Sequence, residues 1–259
     1  MAKKKTVQDQ TAAAPETAPE TKNEVTETPE AQLPANPEDI GFRYQDNFQG
    51  GATPRLPQIG VIHQGQMFNV NENKVESFNG IIINYRKCNA FWDPNDDGNV
   101  NPLCASSDGF TPDQGDQLQA EKCAACEKNA WKSGKDGRGK ACKNMYRCHL
   151  KLPDMLLPYR LTVGPTSLRY MDDYITLLSN QKIAYQIANT RFTLEKKESG
   201  SNVWSIIKMD IEEKIDDPKQ WVEIKAYIKQ FASSFGEEIQ RDEVGETEGE
   251  AGASDNVPF

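Results

Sequence analysis

The stretch Phe78-Asn-Gly-Ile-Ile-Ile-Asn-Tyr-Arg-Lys-Cys-Asn-Ala-Phe-Trp92 reads as one long β-strand, with Ile81, Ile83 and Tyr85 alternating against Ile82, Asn84 and Arg86. That period of two is what a pleated strand imposes. The pattern breaks at Asp93-Pro-Asn-Asp-Asp-Gly-Asn-Val-Asn-Pro102, which is dense in turn formers, and is expected to resume only at Tyr146. An inserted module at 102–144 therefore separates two parts of one sheet.

Outward from this stretch, Ile59 to Phe68 reads as a first strand, closed by the turn-like Asn69-Val-Asn-Glu-Asn73. Tyr146 to Val163 reads as a strand or bent strand pair, interrupted by Pro153 and Pro158. Gly164-Pro-Thr-Ser167 then opens a helix in which Leu168, Met171, Ile175 and Leu178 form one apolar stripe, with Thr166 or Ser167 as its cap. Tyr185–Leu194 and Val203–Ile211 form a hairpin through Phe192, Leu194, Trp204 and Ile206. Asp217-Pro218 starts a last helix, whose Trp221, Ile224, Ile228, Phe231 and Phe235 share a face and which Gly236 stops.

This order predicts a mainly β fold. Two strands, an insertion, a third strand, a helix and a closing hairpin match a five-stranded oligonucleotide/oligosaccharide-binding (OB-like) barrel with one helix between strands three and four. The expected organisation is a disordered segment at 1–40, the barrel with its insertion at 41–216, a C-terminal helix at 217–236 and a disordered acidic tail at 237–259.

Both ends are poor in large apolar side chains and cannot offset the entropy of ordering. The basic start Met1-Ala2-Lys3-Lys4-Lys5 has no apolar stretch after it, so neither a secretory signal nor a membrane span is expected and a cytoplasmic protein is. The formal charge of -9 conceals an asymmetry: both ends are acidic, while the body is mildly basic. The basic excess gathers in Lys122, Lys128, Lys132, Lys135, Arg138, Lys140, Lys143, Arg147 and Lys151. Local charge of this kind, and not the total, decides whether a surface condenses on phosphate.

Four of the six cysteines, Cys104, Cys123, Cys126 and Cys142, lie in the insertion, spaced Cys-x18-Cys-x2-Cys-x15-Cys. Cys123-Ala-Ala-Cys126 forms a knuckle that presents two sulfurs to one ion, and the flanking pair completes a tetrahedron. Zinc is the expected occupant, held as in a zinc ribbon, because four soft thiolates without a redox cue favour it. With no open coordination position, the metal is structural and the chain is not expected to be an enzyme. Disulfides need an oxidising compartment, a thioredoxin-like motif needs no flanking cysteines, and haem attachment needs a His where Glu127 stands. Cys88 and Cys148 read as buried small hydrophobes. Cys88, Cys148 or His149 replacing a ligand stays open.

Two resemblances add to this. Cys104-Ala-Ser-Ser-Asp-Gly109, Cys123-Ala-Ala-Cys126, Trp131, Gly139-Lys-Ala-Cys-Lys143 and Gly164-Pro-Thr-Ser167 resemble a family of phage and mobile-element single-stranded DNA-binding proteins over about residues 59–211. That resemblance implies the four cysteines as zinc ligands. The acidic run ending in Asp255-Asn-Val257-Pro258-Phe259 resembles the C-terminal tip of bacterial single-stranded DNA-binding proteins. It implies that Asp255, Val257, Pro258 and Phe259 dock on replication, recombination or repair proteins.

Single-strand binders need cations that follow the phosphates and flat rings on which bases stack. Tyr85, Arg86, Lys87 and Trp92 on the long strand supply both, as do Trp131, Lys132, Lys135, Arg138, Lys140, Lys143, Tyr146 and Arg147 in or after the insertion. The expected function is sequence-tolerant single-stranded DNA binding, with self-association left open. The alternative is a zinc-containing adaptor of the replication or transcription machinery that contacts only protein.

Overall fold

The computed structural model describes residues 55–93, 101–200, 202–236 and 239, all within the unit Ala52–Phe259. The fold is mainly β. The nine strands among the described residues are β1 (Gln58–Ile62), β2 (Met67–Val70), β3 (Asn73–Val75), β4 (Ser77–Phe91), β5 (Cys104–Ser106), β6 (Lys143–Lys151), β7 (Tyr159–Val163), β8 (Ala188–Ser199) and β9 (Asn202–Lys214). They form one sheet in the order β3-β2-β1-β7-β6-β4-β8-β9, with β5 beside β4. Two α-helices accompany it, α1 (Leu168–Asn180) and α2 (Pro218–Phe231). The count exceeds the five strands expected because β5 is added, the stretch Tyr146–Val163 is split into β6 and β7, and two turns divide the start of the sheet. The first expected strand is a hairpin, because His63–Gln66 turns back on itself with Gln66 at φ 52°, so β1 pairs β2. Asn71 and Glu72, at φ 50° and 66°, then make the two-residue turn whose twist suits a hairpin and lead into β3.

β4 organises the sheet. Ser77–Ile81 at its start pairs β8, Asn89–Phe91 at its far end pairs β5, and β6 runs beside it from Ile81 to Ala90. The alternation expected along it is broken by a register shift between Ile82 and Asn84. A bulge of one residue moves every later side chain to the other face. Ile82 and Tyr85 therefore both face the main core, while Ile81 and Ile83 join the cluster under α2.

The main core lies between one sheet face and α1. Phe68, Ile82, Cys148, Leu150, Leu161 and Phe192 meet Met171, Tyr174 and Leu178 there. The α1 stripe is as expected except that Tyr174, bonded to Thr190 through its hydroxyl at 2.6 Å, is buried where Ile175 is only partly so. Ser167 does not cap the helix. Its Oγ accepts the backbone N–H of Ile207 at 2.9 Å, which ties the start of α1 to β9. On the other face, α2 begins as expected, with the Asp217 carboxylate accepting the Lys219 N–H at 2.9 Å. Its Phe231, with Phe235 beyond it, packs on Leu56 and Ile83. Trp221 is 40% exposed, its ring N–H donating to the Ile215 carbonyl at 2.7 Å.

Ile239 lies inside the segment expected to be a solvated tail, yet it is buried with Cys88, Ala90, Ala105 and Met145. Its N–H donates to the Gln114 side-chain oxygen at 3.1 Å. The chain beyond α2 is thus fastened to the inserted module at Ile239, ahead of the acidic residues from Asp242 onward.

Candidate metal centre and nucleic-acid interface

The module starts from the end of β4. β5, which the sequence pattern did not predict, places Cys104 opposite Phe91, and β6 places Lys143 opposite Ala90 on the other edge. Cys104 and Cys142 thus flank the same strand end from opposite sides and pack with Phe91. Cys123 opens a 3-10 turn, Cys123–Ala125, and Cys126 closes it by donating its N–H to the Cys123 carbonyl at 3.3 Å. Two bonds dock this knuckle. The Cys123 N–H donates to the Phe110 carbonyl at 2.8 Å, and the Cys142 N–H to the Lys128 carbonyl at 2.8 Å.

All four cysteines line one small cavity with Phe91 and Asn129. They share a cavity and not yet a point: among the described residues no three His, Cys, Asp or Glu side chains are drawn together as a coordination sphere. The electrostatics show how near they are. Burial pushes the Cys142 thiol up to about 12, and Cys123, Cys126 and Cys104 push it the same way. Cys104 is raised by burial too, with Cys123 and Cys126 adding to it. Thiolates gathered in one cavity repel, and a dication at their centre would oppose both that repulsion and the cost of burial by favouring the charged form. Four sulfurs in a half-closed cavity form a donor set that fits zinc. Cys88 and Cys148 are buried, 2% and 0% exposed, and neither lines that cavity. His149 is fully buried against Phe235 at a ring distance of 4.6 Å, away from the sulfurs.

A network of three asparagines joins the module to the sheet. The Asn144 amide donates to Asn89 at 2.6 Å and to Asn129 at 3.0 Å, while Asn89 donates to the Gly109 carbonyl and Asn129 to that of Cys123, each at 2.9 Å. Lys140 completes it, its ammonium donating to Asn144 at 2.9 Å and Asn129 at 3.3 Å. Lys140 is therefore engaged in structure and is not offered to a phosphate as expected.

The remaining expected contacts divide by exposure. Lys87, Lys132, Lys135, Arg138 and Lys143 are exposed, and Trp131 is 52% exposed among them. Trp92 is partly buried against the cluster that holds Ile239. Tyr85 is half-buried and packs edge-on against Tyr146 and Tyr185. Tyr146 is only 5% exposed, and its hydroxyl donates to Asp172 of α1. Arg147 is fully buried. It sits opposite Arg86, and His149 opposite Arg160, on the sheet face where Phe235 covers His149. Tyr85, Tyr146 and Arg147 thus contribute to the interior where an open binding face was expected. Asp255, Val257, Pro258 and Phe259 lie outside the described residues.

Sequence reading missed Phe110, which stands 70% exposed. Asp108 fixes its loop, one carboxylate oxygen accepting the N–H groups of Phe110 at 2.7 Å and Thr111 at 2.8 Å and the Ser106 hydroxyl at 2.8 Å. Those bonds hold the Asp108 carboxyl below its ordinary range. Gly109, at φ 77°, lets the loop lie on β4, where a Cβ would meet that of Lys87 at 3.0 Å. The signal was available: an aromatic after Ser-Ser-Asp-Gly in a segment with no core has nothing to pack on.

No helix among the described residues is long and apolar enough to cross a membrane. No family model, curated protein or solved structure matches the chain.

Proposed function

We propose that this chain is a non-catalytic, sequence-tolerant single-stranded DNA-binding protein of phage or mobile-element type, acting in replication, recombination or repair. The observation that carries the reading is the exposed Trp131 in a short stretch of chain that also exposes Lys128, Lys132, Lys135 and Arg138. Rings and cations side by side serve an unpaired strand, because every base has a stacking face and every nucleotide a phosphate. Zinc held by Cys104, Cys123, Cys126 and Cys142 would give this module the rigidity its sparse core does not. The sheet is taken as an elaborated barrel of the oligonucleotide-binding kind, with β4 and β6 at its centre and the zinc-ribbon module grafted at their ends. The acidic tail, ending in Val257-Pro258-Phe259, recruits partner proteins.

Fluorescence anisotropy with labelled oligo-dT tests this. The metal-loaded chain should bind at low salt and weaken steeply as salt rises, since each neutralised phosphate releases counterions. An adaptor that touches only protein would leave the anisotropy flat at every salt concentration.

A further inference from the structure

Where the module meets the sheet, a cleft of about 240 Å³ opens between β4, β6 and α1. We propose that this cleft receives one unstacked nucleobase of the bound strand, an inference that rests on the single-strand reading above and locates its base-binding pocket. Three features of the walls select such a ligand.

The first is size. The volume falls just short of the ~300 Å³ at which pockets for drug-sized ligands begin, so it suits one flat ring system and not two stacked nucleotides. The second is the pair of aromatic walls. Tyr146 lines the floor and Phe110 the rim, and Phe110 is 70% exposed on a loop whose hydrogen bonds hold it in that position. A hydrophobic ring fixed in solvent at the mouth of a cleft is placed to stack. The third is charge. Lys87 stands over the Tyr146 ring, its ammonium 5.4 Å from the centroid, while the Asp172 carboxylate also lines the cleft. A carboxylate repels phosphate, so the base and not the backbone enters. Every base carries an N–H on its Watson–Crick edge for Asp172 and an acceptor for Lys87, which makes the pocket tolerant of sequence. The phosphate is left outside, where Lys143 is exposed at the start of β6.

The cleft is also built from the metal module. Asn129 and Asn144 line it and belong to the network that grips the Cys123 carbonyl. The Phe110 carbonyl accepts from the Cys123 N–H. One wall therefore stands only while the knuckle is in place.

The test is photocrosslinking of the metal-loaded full chain to oligo-dT carrying one 5-iododeoxyuridine, mapped by mass spectrometry, alongside affinities of Phe110→Ala and Phe110→Trp. Adducts are expected on Phe110, the exposed ring at the rim. Affinity should fall about tenfold in Phe110→Ala and be kept in Phe110→Trp, with metal content and melting temperature unchanged because the side chain is exposed. Normal oligo-dT affinity in Phe110→Ala, with adducts confined to Trp131, would overturn the cleft and leave the single-strand reading standing. Failure of the wild-type chain to bind oligo-dT would overturn both.

Discussion

His149 shows how a single side chain can record its surroundings. It is fully buried, neither ring nitrogen has a hydrogen-bond partner among the described residues, and Arg147, Arg86 and Arg160 stand near it. Burial first, and those guanidiniums second, lower its pKa from 6.5 to about 3. An unfolded chain takes up this proton near 6.5, whereas the folded chain refuses it until about 3. Between those values the unfolded state binds more protons, so His149 costs stability progressively as pH falls through that window and costs nothing above it. His149→Gln should flatten that part of a denaturation-against-pH curve; parallel curves for variant and wild type would show that the ring is not held neutral. At the same scale, the exposed Trp131 was legible because its neighbours are polar. The burial of Arg147 was not, because a one-residue alternation cannot tell which face a helix will cover.

At the scale of the element, the inserted module and the sheet differ in what holds them. β4, β6, β7, β8 and α1 share an extensive buried cluster, and packing of that kind sustains itself. The cluster under the cysteines is small: Cys104 and Cys142 packed on Phe91 of β4, with Leu103 and Ala141 partly buried against them. Removing the metal by chelation, or weakening its grip with Cys126→Ser, should therefore open residues 107–141 to protease while amide exchange in β4 and β6 near Leu150 stays slow. A module that resists protease equally well without metal would mean that the asparagine network suffices.

Most elements could be read from sequence since hydrophobic period, Pro218 and Gly-rich turns act locally. β5 could not, since its three residues carry no period and are strand only by pairing with Asn89, Ala90 and Phe91. The bulge at Ile82/Asn84 was equally hidden, because three consecutive isoleucines satisfy either phase. Of the site, the cysteine spacing announced the cavity. The Asn89–Asn144–Asn129 network left no trace, because it depends on strands and turns far apart in sequence.

For the whole molecule, the question is where the folded body stops and the acidic run begins. Burial of Ile239 beside Met145 and Ala105 sets that limit beyond Gly236. A chain ending at Gly236 loses a buried side chain and should be less stable, by roughly the 2–5 kcal/mol of a large-to-small change in a core, and so melt lower. One ending just after Ile239 should keep the full-length melting temperature while shedding the acidic residues from Asp242 onward. Equal melting of both truncations would refute the anchoring. The longer truncation is thus the one that isolates what the tail does to binding.

Across the molecule, exposed cations and an exposed ring sit on a module whose four cysteines line one cavity, attached to a sheet with its own extensive buried cluster. The direct test is tryptophan emission of the metal-loaded chain titrated with oligo-dT at low salt. Quenching that saturates, weakens as salt rises and largely disappears in Trp131→Phe is the predicted result. Emission that stays unchanged, with the oligonucleotide remaining free in solution, would contradict it.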